Sequence, residues 1–350
     1  MPTVTREQVL DALSKIIDPD LHRDIVSLGF VREVAICDGV VKAVIELTTP
    51  ACPVKDQMKA EAERLIAQLP GVETVHVEMT AQVRGRSLAS EDILPEVKHV
   101  VAIASGKGGV GKSTVSVNLA VALAQSGARV GLLDADIYGP SIPKMLGCQG
   151  EQPLVEAGQI IPIRRYGVSI MSIGFLLEET QAAMWRGPIV AGTVRQLFMD
   201  VRWGALDYLL VDLPPGTGDA PMTTAQLVPL TGVVIVMTPQ AVAASIAGKS
   251  VALFRRLNTP ILGVVENMAE FVCPNCGAHT VIFPGPGARA FAEKLHVPFL
   301  GSVPLDPTVS VASDSGQPAV IAAPDSAQAQ AFRAIASTLA AQISVVSIAG

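Results

Sequence analysis

The feature that most limits how this chain can fold is a glycine-rich loop at residues 106–113, with the sequence GKGGVGKS. A continuous apolar segment, residues 99–104, precedes the loop, and a helical pattern over residues 114–126 follows it. Glycines between a strand and a helix let backbone N–H groups converge on phosphate oxygens, and the positive end of the helix faces the same anion. The loop therefore predicts a site for ATP and Mg2+, in which Lys112 reaches the β- and γ-phosphates and Ser113 ligates the metal.

Short apolar segments continue along the chain and alternate with segments of helix length. Strands are predicted at residues 129–133, 208–211, 233–237, 261–265 and 298–301, and helices at 190–201, 243–257, 288–295 and 326–343. Aromatic residues make up only 4% of the chain, so Val, Ile, Leu and Ala must build the core, as in buried parallel sheets. The pattern predicts an α/β fold with a parallel sheet and helices on both of its faces.

The first 80 residues have a different pattern, which is typical of a small α+β domain. Helices are predicted at residues 5–17 and 53–69, and strands at 31–37, 40–48 and 72–79. Residues 81–97 are charged and contain Pro95, which is typical of a linker. The predicted organisation is a domain at residues 1–80, a linker at 81–97 and a second domain at 98–350.

Carboxylates follow two predicted strands of the second domain. Asp134 and Asp136 follow one strand and Asp212 ends another, and the carboxyl ends of parallel strands meet at the edge of the sheet where the glycine-rich loop also lies. Asp212 is placed to hold Mg2+ through water. Gly216, four residues further on, can offer its N–H to the γ-phosphate, as a switch loop does.

Cys273 and Cys276 form a Cys-x-x-Cys pair, whose spacing lets two thiolates face one metal. Tetrahedral zinc and a cubane iron–sulfur cluster both need four such ligands. No second pair of this spacing exists, because the remaining cysteines are Cys37, Cys52 and Cys148. Distant cysteines or His279 could complete the site, or two subunits could supply one pair each. Half of a zinc knuckle and a reversible dithiol are the alternatives to a cluster.

Charge and composition argue against several kinds of partner. The net charge of −6 and the pI of about 5.4 leave no basic footprint for nucleic acid. We expect no basic-then-apolar leader and no apolar run of the roughly 18 residues that a membrane span needs. Five cysteines in 350 residues do not make a disulfide framework. We therefore expect a cytoplasmic protein with no nucleic-acid and no membrane partner.

The spacing from Lys107 to Lys112 resembles the deviant Walker A loop of the nitrogenase iron protein, septum-site and partition ATPases. In that superfamily the extra lysine, here Lys107, reaches across a dimer to the nucleotide of the partner. The resemblance implies positive charge supplied in trans as the γ-phosphoryl oxygens become more negative. It also implies that Asp136 positions the attacking water, that Asp134 lies near the Mg2+ shell and that Asn267 contacts adenine.

The predicted site residues follow from the loop and the resemblance together. The catalytic residues are Lys107, Lys112 and Asp136. The nucleotide-binding residues are Gly106, Lys107, Gly108, Gly109, Val110, Gly111, Lys112, Ser113, Thr114, Asp212, Gly216 and Asn267. The predicted metal ligands are Ser113 and Asp212 for Mg2+ and Cys273 and Cys276 for an iron–sulfur cluster.

Four runs taken together, residues 106–113, 134–141, 212–219 and the Cys273–Cys276 pair, resemble the Mrp/ApbC family of iron–sulfur cluster carrier P-loop ATPases. The resemblance covers roughly residues 95–345. It implies a homodimer with slow ATP hydrolysis and a [4Fe-4S] cluster bridged by two Cys-x-x-Cys pairs. It also implies transfer of that cluster to apo iron–sulfur proteins and exchange with a cluster-assembly scaffold, with zinc as a possible occupant in the isolated protein.

The first domain has a resemblance of its own. Residues 18–20, 24–29 and 47–53 resemble the MIP18-type domain that is linked to cluster assembly. Cys52 is expected to start the second helix, whose positive end would lower the pKa of the thiol. This makes Cys52 a candidate reactive or cluster-contacting thiol, with a small residue packed at a helix start as the alternative.

Three other kinds of protein share parts of this pattern. A partition or septum-site ATPase acting on membrane or DNA needs a basic amphipathic helix or a basic patch, but residues 325–350 hold one Arg and no Lys. A nitrogenase-type reductase has its cluster thiols far apart in sequence, which is not the pattern here. A scaffold that binds ATP without turnover remains an open alternative.

Overall fold

The computed structural model describes residues 4–83, 85, 93–176, 187–273 and 276–349. The chain divides into two compact units, residues 1–84 with 340–350 and residues 85–339. The final helix, Ala327–Ala349, contributes residues to both units.

The first unit is a three-stranded sheet with two helices. Its elements are α1 Arg6–Leu13, β1 Val31–Cys37, β2 Val40–Leu47, α2 Lys55–Ala67 and β3 Thr74–Ala81. The strand order is β1-β2-β3, antiparallel between the first two and parallel between the last two. The side chain of Thr5 and that of Gln8 form a capping box that fixes the start of α1. Apolar side chains from both layers are buried together, among them Leu13, Phe30 and Ile66. The predicted α+β character of this region is confirmed.

The second unit contains the glycine-rich loop and the later elements, of which the final helix also contributes residues to the first unit. They are β4 Val97–Ser105, α3 Lys112–Gln125, β5 Val130–Asp134, α4 Ile142–Met145, β6 Val155–Glu156, β7 Gln159–Ile160, β8 Ile163–Arg165, β9 Val168–Ser172, α5 Gly187–Met199, β10 Leu206–Asp212, α6 Asp219–Leu227, β11 Gly232–Met237, α7 Ala241–Arg256, β12 Ile261–Val272, β13 His279–Thr280, α8 Gly287–Leu295, β14 Phe299–Leu305, α9 Pro307–Asp314, α10 Ala319–Ala322 and α11 Ala327–Ala349.

The large sheet has the order β13-β12-β11-β4-β10-β5-β9-β8, with β14 also paired to β12. Every pairing among its inner strands is parallel, as predicted. The sheet as a whole is mixed, because β8 and β13 pair antiparallel at its edges. The β8–β9 hairpin was not predicted from the sequence. Its strands are joined by only two residues, Tyr166 and Gly167, both with positive φ.

Helices flank the sheet on both faces. From β4 the chain passes through α3 to β5, which lies two places along the strand order in one direction. From β11 it passes through α7 to β12, one place along in the opposite direction. Parallel crossovers are right-handed, so crossovers that move in opposite directions put α3 and α7 on opposite faces. The predicted fold class is confirmed.

The expectation of no apolar run of membrane length is wrong for α11. Within the described residues, the segment Ala327–Ile348 is long and apolar enough to cross a membrane by length and composition, with a mean hydropathy of 1.5. One such helix is weak support for a span, because the core helix of a soluble protein passes the same test. Several of its side chains are buried, including Phe332, Ile335 and Leu339.

The expected activation of Cys52 is also wrong. Helix α2 begins at Lys55, three residues after Cys52, so the thiol does not lie at the first turn. Burial raises the pKa of the Cys52 thiol, and this outweighs the lowering by a hydrogen bond from the backbone of Val54. The carboxylates of Asp18 and Asp20 raise the pKa further.

Candidate nucleotide site and thiol hairpin

The glycine-rich loop connects β4 to α3, which begins at Lys112. Gly109 and Gly111 both have φ of +78°, a conformation that favours glycine. At Gly106 a Cβ atom would lie 2.7 Å from the backbone of Ile246, so only glycine lets the two backbones approach this closely. The loop lines a cavity of about 190 Å³, and the other residues that line it are Ser105, Thr114, Asp136, Ser141, Met145 and Pro215.

One buried carboxylate organises the polar groups beneath the loop. The Oδ2 atom of Asp212 lies 2.6 Å from both Lys112 Nζ and Ser113 Oγ, and its Oδ1 atom lies 2.6 Å from Ser116 Oγ. Asp212 ends β10, the strand next to β4, and is fully buried. Ser116 was not among the site residues predicted from the sequence. Its position four residues after Lys112 puts both side chains on one face of α3.

Asp134 ends β5 and Asp136 follows it, and the two carboxylates have different surroundings. Asp136 lines the cavity, with Oδ2 4.0 Å from Lys112 Nζ. Its pKa is raised, chiefly by burial, and the charge of Lys112 opposes this rise. Asp134 is fully buried, and burial followed by the charge of Asp212 raises its pKa to about 7. Asp134 accepts hydrogen bonds from Ser172 Oγ and from the backbone N–H groups of Asp136 and Ile142. It therefore holds the segment that carries Asp136.

Gly216 and Asn267, two further predicted residues, form hydrogen bonds at the glycine-rich loop, Gly216 with the residue before it and Asn267 with a residue in it. The Gly216 N–H donates to the carbonyl of Ser105 at 2.9 Å, so donation to a phosphate requires that this hydrogen bond break. Asn267 is buried, and its Nδ2 donates to the carbonyl of Val110 at 2.9 Å. A Cβ on Gly111 would lie 2.2 Å from the same nitrogen, so Asn267 packs tightly against the loop. Adenine contact by Asn267 remains a prediction.

Lys107, the extra lysine of the loop, is held by its own chain. Its Nζ lies 3.0 Å from Oε1 of Gln240, the residue before α7. The hydroxyl of Ser105 donates to the Lys107 carbonyl at 3.0 Å. The predicted contact of Lys107 across a dimer stays a prediction.

Cys273 and Cys276 follow β12 in a segment that we call the thiol hairpin, of which the structure describes residues 271–273 and 276–280. The Cys273 N–H donates to the Ala278 carbonyl at 2.9 Å, and the Gly277 N–H donates to the Cys273 carbonyl at 2.8 Å. Cys276 is exposed and Cys273 is half-buried, while residues 274 and 275 lie outside the described residues. The Nδ1 atom of His279 lies 2.9 Å from Oε1 of Glu270, across the hairpin.

Across the described parts of the chain, no three His, Cys, Asp or Glu side chains gather so as to hold a metal ion. The two thiols therefore have no third ligand among the side chains that the structure describes. The alternative in which His279 or a distant cysteine completes the set within one chain finds no support there.

The nucleotide loop and the thiols are linked by a single strand. β12 carries Asn267, which contacts the loop, and leads directly to Cys273, six residues or about 20 Å further along. Between them lies Met268, with φ of +57°, and the register between β12 and β14 shifts over the same stretch. The strand is thus irregular between Asn267 and its last residue, Val272.

A parallel sheet with a glycine-rich phosphate loop, a lysine and hydroxyl at the helix start and a carboxylate on the neighbouring strand defines a P-loop nucleotide-binding protein. Residues 96–340 match the family described as the NUBPL iron-transfer P-loop NTPase, and this chain belongs to that family. Residues 6–79 match a second family, described as iron-sulfur cluster assembly protein. The resemblances drawn from the sequence are confirmed in both regions.

Relatives of nearly the same length share this family. The iron-sulfur cluster carrier protein of Deinococcus radiodurans is 48% identical over 341 residues, covering 97% of this chain and 96% of that protein. The protein of the same name from Escherichia coli is 38% identical over 346 residues, covering 98% and 93%. Among solved structures, a nucleotide-binding protein from Archaeoglobus fulgidus in complex with ADP is 42% identical, with a TM-score of 0.59, and covers 66% of this chain and 93% of its own.

Proposed function

We propose that this chain is an ATP-dependent carrier of iron–sulfur clusters that works as a homodimer in the cytoplasm. A [4Fe-4S] cluster bridges the Cys273 and Cys276 thiolates of two subunits and passes from an assembly scaffold to apo iron–sulfur proteins. The observation that carries the proposal is the thiol hairpin, whose two thiols follow directly after β12, the strand that also contacts the glycine-rich loop through Asn267. A cubane cluster takes four thiolates, so two chains supply the set.

The residues around Asp212 fit ATP with Mg2+. Lys112 supplies an ammonium group for the phosphates, and Ser113 and Asp212 supply the oxygen ligands that Mg2+ prefers. Held by these residues, Mg2+ would supply positive charge against the phosphate oxygens. Asp136 lies on the same cavity and is placed to accept a hydrogen bond from the attacking water. Lys107 of a second subunit adds positive charge to the site, so hydrolysis is slow in a single chain.

Cluster transfer tests this proposal directly. The protein is reconstituted anaerobically with iron and sulfide, its absorption spectrum is read, and an apo-acceptor is added with and without ATP. We expect Cys273→Ala and Cys276→Ala to abolish cluster uptake while ATP binding is kept. Cys37→Ala, which removes an exposed thiol from β1, is the matched control and should take up cluster normally. Normal uptake in either hairpin variant refutes the assignment.

ATP turnover separates a hydrolase from a scaffold that only binds ATP. Asp136→Asn removes the group that orients the attacking water, so the rate of turnover should fall at least about 100-fold while the Kd for ATP changes little. Equal turnover in Asp136→Asn and the wild type would show that Asp136 has no part in the reaction. No ATP turnover in the wild type, in the presence and absence of cluster, would support the scaffold.

A septum-site or partition ATPase was the other function considered from the sequence. The MinD cell division ATPase of Pyrococcus furiosus shares the fold, at 25% identity and a TM-score of 0.52 over 69% of this chain and 97% of its own. That function gives no role to Cys273 and Cys276. We expect no ATP-dependent sedimentation with anionic lipid vesicles and no retention on DNA. Binding to either one would favour the alternative.

A further inference from the structure

The structure shows what holds Lys107 within its own subunit. Its ammonium group donates a hydrogen bond to Gln240 Oε1 at 3.0 Å, while its backbone carbonyl accepts one from Ser105 Oγ. Hydrogen bonds that involve a charged group are the stronger class. Any contact of Lys107 with a second subunit must therefore compete with this hydrogen bond.

The backbone around Gln240 also packs against the segment that follows the thiol hairpin in the sequence. Residues 281–286 connect β13 to α8, which begins at Gly287, and Gly285 within the connection packs against the backbone of Pro239 and Gln240. A Cβ atom on Gly285 would lie 1.9 Å from the Pro239 carbonyl oxygen and 3.0 Å from the Gln240 Cα. The Gly287 N–H donates to the same carbonyl at 3.4 Å. With so little space between the backbones, a movement of residues 239–240 must displace residues 281–287.

We propose that Gln240 is a positioning residue that retains Lys107 in cis and couples the release of Lys107 to the thiol hairpin. The proposal rests on the proposed function, because it needs Lys107 to act across a dimer. ATP-dependent dimerisation draws Lys107 away from Gln240, and residues 239–240 then adjust to the loss of the ammonium group. Through Pro239 and Gly285 this adjustment reaches residues 281–287, which anchor one end of the hairpin that holds the cluster.

Two substitutions at Gln240 should act in opposite directions. Gln240→Ala removes the acceptor, so Lys107 is released more easily. Gln240→Glu replaces the acceptor with a carboxylate and holds Lys107 more tightly. With a non-hydrolysable ATP analogue, analytical ultracentrifugation should show dimerisation at about fivefold lower protein concentration for the Ala variant and about fivefold higher for the Glu variant.

A purely structural role of Gln240 would shift both variants in the same direction. Equal or same-direction shifts in the two variants, alongside a wild type that dimerises, overturn the proposal and leave the proposed function intact. A wild type that stays monomeric with the analogue at all concentrations overturns both.

Hydrogen exchange tests the coupling to the hairpin. Without nucleotide, the amides of residues 281–287 should exchange at least about threefold faster in Gln240→Ala than in the wild type, because the contact at Pro239 is loosened. In Gln240→Glu they should exchange no faster than in the wild type. Unchanged exchange in the Ala variant would overturn the coupling.

Discussion

At the scale of single residues, the nucleotide site is organised around Asp212. Three donors, Lys112, Ser113 and Ser116, converge on its two oxygens in a buried setting. Lys112 and Ser113 also belong to the predicted phosphate and Mg2+ site, whereas Ser116 faces Asp212 from inside α3. We therefore interpret Ser116 as the group that fixes the orientation of the carboxylate.

Ser116→Ala should weaken Mg2+ use and lower stability. A buried carboxylate oxygen that loses its donor costs about 1–3 kcal/mol, and Asp212 becomes less well oriented. We expect a lower free energy of unfolding in denaturant titrations and a higher Mg2+ concentration for half-maximal ATP turnover. The control is Ser126→Ala, which removes a hydroxyl bonded to the Leu123 carbonyl at the end of the same helix. An unchanged Mg2+ dependence in Ser116→Ala would contradict this role.

Asp134 predicts a pH dependence of stability. Its pKa is raised by burial from 3.8 to about 7, so the folded chain binds a proton that the unfolded chain releases between these values. The stabilisation from this bound proton is full below about pH 4 and is lost as the pH rises through about 7. Over that range the free energy of unfolding falls by at most about 1.4 kcal/mol per pH unit.

Asp134→Asn, which does not titrate, isolates this contribution. The Asn variant places an amide against the N–H of Ile142 and should be less stable than the wild type at all pH values. The stability difference between the two proteins, measured by urea unfolding at pH 5 and pH 8, should shrink at the higher pH. A difference that grows with pH would contradict the prediction.

At the scale of elements, β12 is the strand that both sites share. Asn267 connects its middle to the glycine-rich loop, and Cys273 follows its last residue, Val272. Met268 has an uncommon positive φ for a non-glycine residue between these points, where the pairing with β14 also shifts. The element that would carry a nucleotide-dependent change to the thiols is therefore irregular along its length.

The hydrogen bond from Asn267 to Val110 predicts how replacing Asn267 changes the affinity for nucleotides. In Asn267→Ala the loop loses a buried hydrogen bond, so affinities for ATP and GTP should both fall, by a similar factor of about 5–10. Equilibrium binding with both nucleotides provides the measurement. A loss confined to ATP would instead show that Asn267 reads adenine.

Much of the fold followed from local pattern. The loop at residues 106–113 and the apolar strands around it are specified by glycines and continuous Val, Ile and Leu runs, which depend little on distant contacts. The edge hairpin of β8 and β9 was missed, because β8 is only three residues long and no helix separates the two strands. The hydrogen bond between Lys107 and Gln240 joins residues 133 positions apart, so no local sequence pattern could predict it.

Cys52 shows how a boundary error changes a chemical prediction. The sequence pattern began the second helix at residue 53, whereas α2 starts at Lys55 with Val54 before it. Without the helix end beside it, the thiol is governed by burial and by nearby carboxylates, and its pKa rises. Helix boundaries are the least certain part of any pattern-based prediction.

At the scale of the whole molecule, both candidate sites are suited to completion by a second copy of the chain. Lys107 is suited to complete the nucleotide site of another subunit, and Cys273 with Cys276 supplies half of a four-thiolate set. Membership of the NUBPL iron-transfer P-loop NTPase family joins these two features to iron chemistry. Under the proposed function, in which the cluster is bridged by two chains, the dimer is the functional unit.

The most direct test is the mass and iron content of the reconstituted protein under native, anaerobic conditions. Native mass spectrometry should show a dimer that carries one [4Fe-4S] cluster, and a mixture with Cys273→Ala chains should show no cluster in dimers containing a variant chain. A complete cluster on a single chain, or a cluster in the mixed dimers, would contradict a cluster bridged by the two thiol hairpins.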